Sequence, residues 1–85
     1  MTVAFMEPAL ADYQRWAAFD KKIFERINEI IKDISRNHYK GIGKPEPLKH
    51  NLKGWWSRRI TDEHRLIYRI ENQMIFILSC RFHYQ

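Results

Sequence analysis

The clearest pattern in the chain is a stripe of isoleucines in its first half. They recur at intervals of one, three and four residues: Ile23, Ile27, Ile30, Ile31 and Ile34. This spacing places them on one side of an α-helix, so the pattern predicts an amphipathic helix whose stripe faces a core. Asp20 precedes the stripe, and its carboxylate is suited to cap the first turn of that helix.

Two further elements are predicted upstream of this helix. Residues 2–6 form a brief, apolar, β-prone run that is typical of an edge strand. Pro8 follows, and a proline is well placed in the first turn of a helix because its missing N–H costs nothing there. Leu10, Tyr13 and Ala17 then share one face of this first helix.

A stretch rich in glycine and proline separates the helices from the second half of the chain. Gly41, Gly43, Pro45 and Pro47 exclude regular structure. Each proline fixes its own φ and keeps the residue before it out of the helical region, so the segment 44–47 is predicted to be extended. Glu46 is therefore held at a defined angle between two stiff residues.

From residue 55 onward the pattern changes to that of β-strands. Three runs, residues 55–60, 64–70 and 74–82, are separated by short polar links and predict an antiparallel meander. Both helices precede these strands. The expected fold is therefore a single α+β domain over residues 1–85, with two N-terminal helices packed on one face of a small, mainly antiparallel sheet.

Alternation along the strands predicts which side chains face the helices. In the middle strand Leu66, Tyr68 and Ile70 share the helix side, and Arg65, Ile67 and Arg69 share the other side. In the last strand the same reasoning places four residues on the helix side: Phe76, Leu78, Cys80 and Phe82. It places five on the opposite side: Ile75, Ile77, Ser79, Arg81 and His83.

Trp55 and Trp56 are adjacent, so one points inward and the other outward, where it would stack on a base or meet a protein partner.

Charge and composition narrow the classes of function. The net charge is +5, and the whole excess lies in residues 40–85, which carry nine Lys or Arg against four Asp or Glu. A basic half with interleaved aromatic side chains is typical of nucleic-acid binding, although ordinary solvated charge gives the same totals. One cysteine, Cys80, excludes an internal disulfide. With no apolar run of membrane-spanning length and no signal-peptide pattern, the expected location is the cytoplasm.

The candidate chemistry is acid–base cleavage of a phosphodiester. The residues available for it are Glu46, Lys49, His50, Arg59, Arg65, Arg81, His83 and Tyr84. A carboxylate can take the proton of a ribose 2′-OH, a histidine can protonate the departing 5′-oxygen, and fixed cations can stabilise the phosphorane. Each residue also has a structural interpretation, such as pairing of Glu46 with Lys44 or Lys49. No Cys/His spacing or acidic cluster resembles a metal site, so neither a metal nor a cofactor is expected.

Four segments resemble the YoeB-type toxins of the RelE/ParE superfamily: residues 43–52, 56–60, 63–66 and 80–84. The resemblance extends over essentially the whole chain, and it implies a microbial-RNase-like fold. It also implies a ribosome-dependent mRNA endonuclease that cuts in the A site and halts translation. Matched by position, the residue roles would be Glu46 as general base, His83 as general acid, Arg65 as stabiliser of the phosphorane, Lys49 and Arg59 as its assistants, and Tyr84 as the residue that orients the substrate.

The resemblance also implies partners. These are a cognate YefM-like antitoxin, the ribosome with its mRNA, operator DNA reached through the antitoxin, and a second copy in a homodimer; no membrane is involved. Two departures from the family pattern, Phe82 in place of a tyrosine and the additional Gln85, leave the acid–base pair untouched. Two alternatives remain open: a ParE-like toxin that acts on DNA gyrase without cutting RNA, and a catalytically silent module that binds antitoxin or nucleic acid.

Overall fold

The computed structural model describes residues 1–82. Its helices are α1 (Glu7–Phe19) and α2 (Lys21–Arg36). Its strands are β1 (Thr2–Phe5), β2 (Glu46–Pro47), β3 (Trp56–Arg59), β4 (Arg65–Glu71) and β5 (Met74–Ser79). A 3₁₀ turn, His50–Leu52, lies between β2 and β3. In this part of the chain, neither helix has the length and apolar character that a bilayer-spanning segment needs.

The five strands form one sheet in the order β1-β5-β4-β3-β2. β1 runs parallel to β5, and the other neighbouring strands are antiparallel. The predicted α+β class, with both helices on one face of a mainly antiparallel sheet, is confirmed. β1 is an edge strand, as its position and composition predicted, and the extended segment at Glu46 forms the opposite edge.

The isoleucine stripe of α2 forms the centre of the core. Ile27, Ile30 and Ile34 are completely buried and pack in one cluster with residues of β4 and β5. The Asp20 side chain accepts a hydrogen bond of 3.2 Å from the backbone N–H of Ile23, which confirms the predicted cap. Burial of each such side chain stabilises the fold by about 1.5–3 kcal/mol, so α2 is held chiefly by its packing.

The last strand departs from the predicted alternation because it contains a β-bulge. Tyr68 of β4 pairs with Ile77, whereas Ile67 pairs with Ser79, so Leu78 is an extra residue between them. Ile75 and Ile77 are completely buried against the helices, and the prediction that they face away was wrong. The prediction for Phe76 and Leu78 was wrong for the same reason. An extra residue reverses the alternation, which is why Ser79 and Cys80 nevertheless lie on their predicted sides.

A buried arginine fixes the loop that connects α2 to β2. The Arg58 side chain is completely buried and donates to the carboxylate of Asp33 at 2.6 Å. It also donates to the Tyr68 hydroxyl and to three loop carbonyls, those of Asn37, Lys40 and Ile42. These five bonds match the five N–H donors of a guanidinium, so the buried charge is fully satisfied.

Asp33 and Tyr68 complete this arrangement, which we call the Arg58 network. The Asp33 carboxylate accepts the backbone N–H of Ile42 at 3.0 Å, and the Tyr68 hydroxyl donates to the His38 carbonyl at 2.6 Å. Burial raises the pKa of Tyr68, so its hydroxyl keeps the proton that it donates. A Cβ at Gly41 would collide with the Asp33 carboxylate, and Gly41 has a φ of +119°, so glycine is required there. The loop reaches β2 in one defined conformation.

Candidate active site on the second sheet face

The strand register gathers three of the predicted residues on the sheet face opposite the helices, called here the second face. Glu46 pairs with Ser57, and Ser57 pairs with Ile67. Arg59 pairs with Arg65 two positions further along the same strands. Residues that pair directly, and residues two apart on one strand, point to the same side of a sheet. Glu46, Arg59 and Arg65 therefore share the second face, and for Arg65 this is the side that the alternation in β4 predicted.

The centre of this face is not open, contrary to expectation. Ser57 and Ile67 are buried, and so is Leu48, which follows β2. None of the three belongs to the main core cluster. The exposed charged residues lie at the rim of the face, where Glu46 and Arg59 are accessible to solvent.

Glu46 lines a groove formed by its own loop. The groove has a volume of about 720 Å³ and is lined by residues 46–52, which include Lys49 and His50. Lys44, before the strand, and His50, the first residue of the turn after it, both have positive φ, at 49° and 56°. The prediction that residues 44–47 are all extended was therefore wrong at Lys44, and the strand itself is limited to Glu46–Pro47. A non-glycine residue in this region costs of order 1 kcal/mol or more, and such positions concentrate at functional sites. The loop thus presents one carboxylate beside two cationic or titratable side chains.

The side chain of Arg65 is held firmly by the backbone around it. Its side chain is buried, with the residue only 8% exposed. Its Nη1 donates to the carbonyls of Thr61, Asp62 and His64 at 2.8, 3.1 and 3.1 Å. A guanidinium fixed on one edge by backbone carbonyls has a set orientation, which is what a stabiliser of developing charge requires. Its neighbour Arg59 is exposed and contributes charge without this constraint.

Arg81 does not join the site as predicted. Its Nη1 lies 3.8 Å from the Asp12 carboxylate of α1, and its guanidinium lies over the Phe82 ring. The strand has already ended at Ser79, so the alternation that predicted a position on the second face no longer applies to Arg81.

The two remaining predicted residues, His83 and Tyr84, lie outside the described residues. Within residues 1–82, no group of three or more His, Cys, Asp or Glu side chains is arranged to hold a metal ion.

The segment that leads to His83 is fixed beside Arg65. The backbone N–H of Arg65 donates to the Phe82 carbonyl at 3.0 Å. The backbone N–H of Phe82 donates to Nδ1 of His64 at 2.8 Å, and the Trp16 indole donates to the Cys80 carbonyl at 2.9 Å. The His64 ring is packed between Trp16 and Phe82. Residues 80–82 are thus tied to α1 and to the start of β4.

Comparison with known proteins identifies the family. The model of the YoeB-like toxins of bacterial type II toxin–antitoxin systems matches residues 5–84. The chain belongs to this family. It is 55% identical over 85 residues to toxin YoeB of Synechocystis, covering 100% of this chain and 99% of that protein. It is 51% identical over 84 residues to toxin YoeB of Escherichia coli K12, covering 99% and 100%.

Solved structures of related toxins have the same fold. A YoeB/ParE toxin from Agrobacterium tumefaciens superposes with a TM-score of 0.97 at 42% identity, covering 99% of this chain and 100% of that chain. A YoeB–YefM complex from Staphylococcus aureus superposes with a TM-score of 0.93 at 46% identity, covering 99% and 98%. A YoeB dimer from the same organism also gives 0.93, at 47% identity with the same coverage. The present protein is therefore a YoeB-like toxin with the fold of that family.

Two residues important for the site of this YoeB-like toxin were not identified from its sequence. Arg58 alternates with Trp56 and Ile60, which places it on the helix side. His64 directly precedes Arg65 and therefore lies on the side opposite to it. A charged or polar residue at an inward position is the signal that could have marked both, because such a residue needs a buried partner.

Cys80 has no chemical role that the structure supports. The side chain is completely buried, and its Sγ lies 3.5 Å from the Ala9 carbonyl. Burial raises the pKa of the Cys80 thiol to about 12. Because the thiolate is the nucleophilic form, this cysteine is an inert part of the core, as the sequence predicted.

His64 provides a first test of how the toxin holds its C-terminal segment. The variant His64→Gln is expected to lower the free energy of unfolding by about 1–3 kcal/mol, because the Phe82 N–H loses its acceptor and the ring contacts are removed. His64→Asn also removes the ring, but its Oδ1 lies near the position of Nδ1. It is expected to be more stable than the glutamine variant by about 1 kcal/mol in urea unfolding. Equal losses in the two variants would show that the Nδ1 bond contributes nothing.

Proposed function

We propose that this chain is an mRNA endoribonuclease that acts on the ribosome and inhibits translation. Membership in the YoeB-like toxins supports a toxic activity of this kind. The observation that carries the proposal is the register of β2, β3 and β4, which places Glu46 on the same sheet face as Arg59 and Arg65. A carboxylate and two guanidinium groups on one face match the requirements of phosphodiester cleavage by 2′-OH attack.

The proposed reaction begins at Glu46. Its carboxylate accepts the proton of the ribose 2′-OH as the 2′-oxygen forms a bond to the adjacent phosphorus. The phosphorane carries added negative charge, and Arg65 stabilises it with help from Arg59 and Lys49. The bond to the 5′-oxygen then breaks, and that oxygen receives a proton from a general acid. The products are a 2′,3′-cyclic phosphate and a 5′-hydroxyl end.

His83 is the proposed general acid, and Tyr84 is the proposed residue that orients the substrate. Both assignments come from the position-by-position resemblance. They are consistent with Phe82, the residue before His83, being hydrogen-bonded to the backbone of Arg65. The ribosomal A site would hold the mRNA so that the 2′-oxygen is in line with the leaving group, which accounts for ribosome dependence.

The expected partners follow from the same proposal. A YoeB–YefM complex and a YoeB dimer from Staphylococcus aureus are known. By analogy, this chain would bind a YefM-like antitoxin, and the complex would reach operator DNA through that antitoxin. The excess of positive charge in residues 40–85 suits an acidic or amphipathic antitoxin segment that folds as it binds. The expected location is the cytoplasm, where ribosomes and mRNA are found.

The decisive experiment maps the ends of an mRNA after incubation with ribosomes and the purified protein. The wild-type protein is expected to produce new 5′-hydroxyl ends at A-site codons. Glu46→Gln keeps the shape of the side chain but removes the base, so its single-turnover rate should fall by about 10²–10⁴-fold. Glu25→Gln is the matched control, because Glu25 is an exposed glutamate on α2, on the other side of the sheet, with a side chain 64% exposed; its rate should equal that of the wild type.

The outcome also separates the alternatives. If Glu46→Gln cleaves as fast as the wild type, Glu46 is not the base. If the wild-type protein arrests growth while mRNA stays intact, inhibition of gyrase supercoiling becomes the assay for a ParE-like action. A protein that neither cuts mRNA nor inhibits gyrase, yet still binds a YefM-like antitoxin, would be a silent binding module.

A further inference from the structure

A third row of side chains lies on the second face beyond the row of Glu46. Arg69 of β4 pairs with Phe76 of β5, and it is two residues from Ile67 along β4. Trp56 pairs with Tyr68, so Trp55 stands opposite Arg69 at the next position. The Arg69 guanidinium lies over the Trp55 ring, 4.9 Å from its centroid. Trp55 is thus the outward member of the tryptophan pair, and we call Trp55 with Arg69 the stacking plate.

The plate is held by an ion pair and is partly open to solvent. Nη2 of Arg69 forms an ion pair of 2.6 Å with the Glu71 carboxylate, and the Arg69 side chain remains 40% exposed. Its Nε is buried and has no hydrogen-bond partner among residues 1–82. One carboxylate fixes the edge of the guanidinium, one indole supports one of its flat sides, and part of the group stays accessible. A guanidinium held in this way loses little freedom when a further flat group stacks on it.

The chemistry of the plate fits a nucleobase better than a phosphate. Glu71 already balances the charge of Arg69, which weakens any attraction for a phosphate. A planar guanidinium supported by an aromatic ring is instead a surface on which an unstacked base of single-stranded RNA can lie. Every base has such a flat face, so the plate would bind without strict sequence preference.

The position of the plate relates it to the proposed reaction. Two residues along a strand span about 6.6 Å, so the plate lies about 6.6 Å from the Glu46 row and about 13 Å from Arg65 along the strands. We infer that Trp55 and Arg69 bind the base of a nucleotide that flanks the scissile phosphodiester of a single-stranded RNA. This inference rests on the proposed ribonuclease function. It adds a substrate-positioning site that the acid–base residues do not supply.

The test uses synthetic mRNAs on ribosomes with one nucleotide at a time made abasic next to the cleaved bond. For the wild-type protein, one abasic position should lower kcat/KM by about 5–100-fold, the range that stacking of one base provides. Arg69→Lys keeps the positive charge but removes the planar guanidinium, and Trp55→Leu removes the aromatic ring. Each should lower kcat/KM on the intact mRNA to a similar degree. In both variants the abasic nucleotide should make little further difference, since its partner is already gone.

Conservative variants and a binding measurement complete the design. Trp55→Phe keeps an aromatic ring and should recover most of the activity, and it serves as the main ring variant if Trp55→Leu does not fold. Quenching of tryptophan fluorescence by a short single-stranded RNA gives a readout that needs no cleavage. The quenching should be strong in the wild type and much weaker in Trp55→Phe, which keeps Trp16 and Trp56.

The outcomes distinguish the two proposals. Normal cleavage with no effect of abasic positions, or with fully active Arg69→Lys and Trp55→Leu, overturns the stacking plate and leaves the ribonuclease function intact. No cleavage by the wild type together with Trp55-dependent quenching overturns the ribonuclease function, and with it the position beside a scissile bond, while stacking of an RNA base on the plate is supported. No cleavage and no quenching overturns both. If the variants cleave normally but sediment as monomers where the wild type is a dimer, the plate belongs to a protein interface, and the inference is wrong.

Discussion

Replacing Arg58 by methionine is expected to lower the free energy of unfolding by about 3–5 kcal/mol, because it removes one partner of a buried ion pair. Arg58 is 0% exposed, and all five of its donors are used. Methionine fills much of the space, but the Asp33 carboxylate keeps only the Ile42 N–H as a donor, and the three loop carbonyls lose the donors that Arg58 supplied. Urea unfolding followed by circular dichroism measures the change.

The matched control is Arg59→Met on the same strand. Arg59 is exposed, and its side chain points to the second face, so the change in unfolding free energy should stay within about 0.5 kcal/mol. A loss of similar size in both variants would show that strand β3 is sensitive to methionine in general and that the Arg58 network is not special. Cleavage by Arg58→Met should also fall, because the same network fixes the loop that leads to Glu46.

The Arg58 network also predicts a dependence of stability on pH. The backbone hydrogen bond from Ile42, followed by the bond from Arg58, holds the pKa of Asp33 below its ordinary value of 3.8. A lowered pKa in the folded state stabilises the fold above the unfolded pKa, and this stabilisation disappears as the pH falls through the folded value. The wild type should therefore lose part of its stability below about pH 4, and Arg58→Met should lose less there because one of the two causes is absent.

The parts of the fold that were predicted correctly depend on contacts close in sequence. The isoleucine spacing defines one side of α2, Asp20 caps the turn that follows it, and two prolines extend the chain at Glu46. Each of these signals operates within a few residues. Local geometry alone fixes them, and the alternation in β4 then places Arg65 correctly on the second face.

The parts that were missed depend on pairing between distant segments. The bulge at Leu78 exists because β5 pairs with β4 and must also bring residues 80–82 back towards α1, which alternation along one strand does not reveal. Asp33 lies on α2 outside the isoleucine stripe, yet it is bound by Arg58, which lies 25 positions later. A charged pair of this kind becomes visible only when the helix is docked on the sheet.

Replacing Arg65 by lysine is expected to lower the single-turnover rate of mRNA cleavage by about 10²–10³-fold with little change in KM. Lysine keeps the positive charge, so a purely electrostatic role would survive the substitution. It has no planar fork, however, and cannot both bind the carbonyls of Thr61 and Asp62 and direct a second N–H at the phosphorane. Rates at saturating protein on ribosome-bound mRNA separate this loss from a loss of binding.

Arg59→Lys is the matched control, because it makes the same substitution at an exposed arginine. Arg59 pairs directly with Arg65 across the two strands but is exposed, so its replacement by lysine should change the rate by less than about tenfold.

Because Arg65 is nearly buried, its variant must also be shown to melt within a few degrees of the wild type. If Arg65→Lys is well folded and cleaves within about threefold of the wild-type rate, Arg65 serves the turn at residues 61–64 and the phosphorane is stabilised elsewhere. If both lysine variants lose activity equally, orientation by backbone carbonyls is not what distinguishes Arg65, and the two arginines act together as a rigid pair on one phosphate.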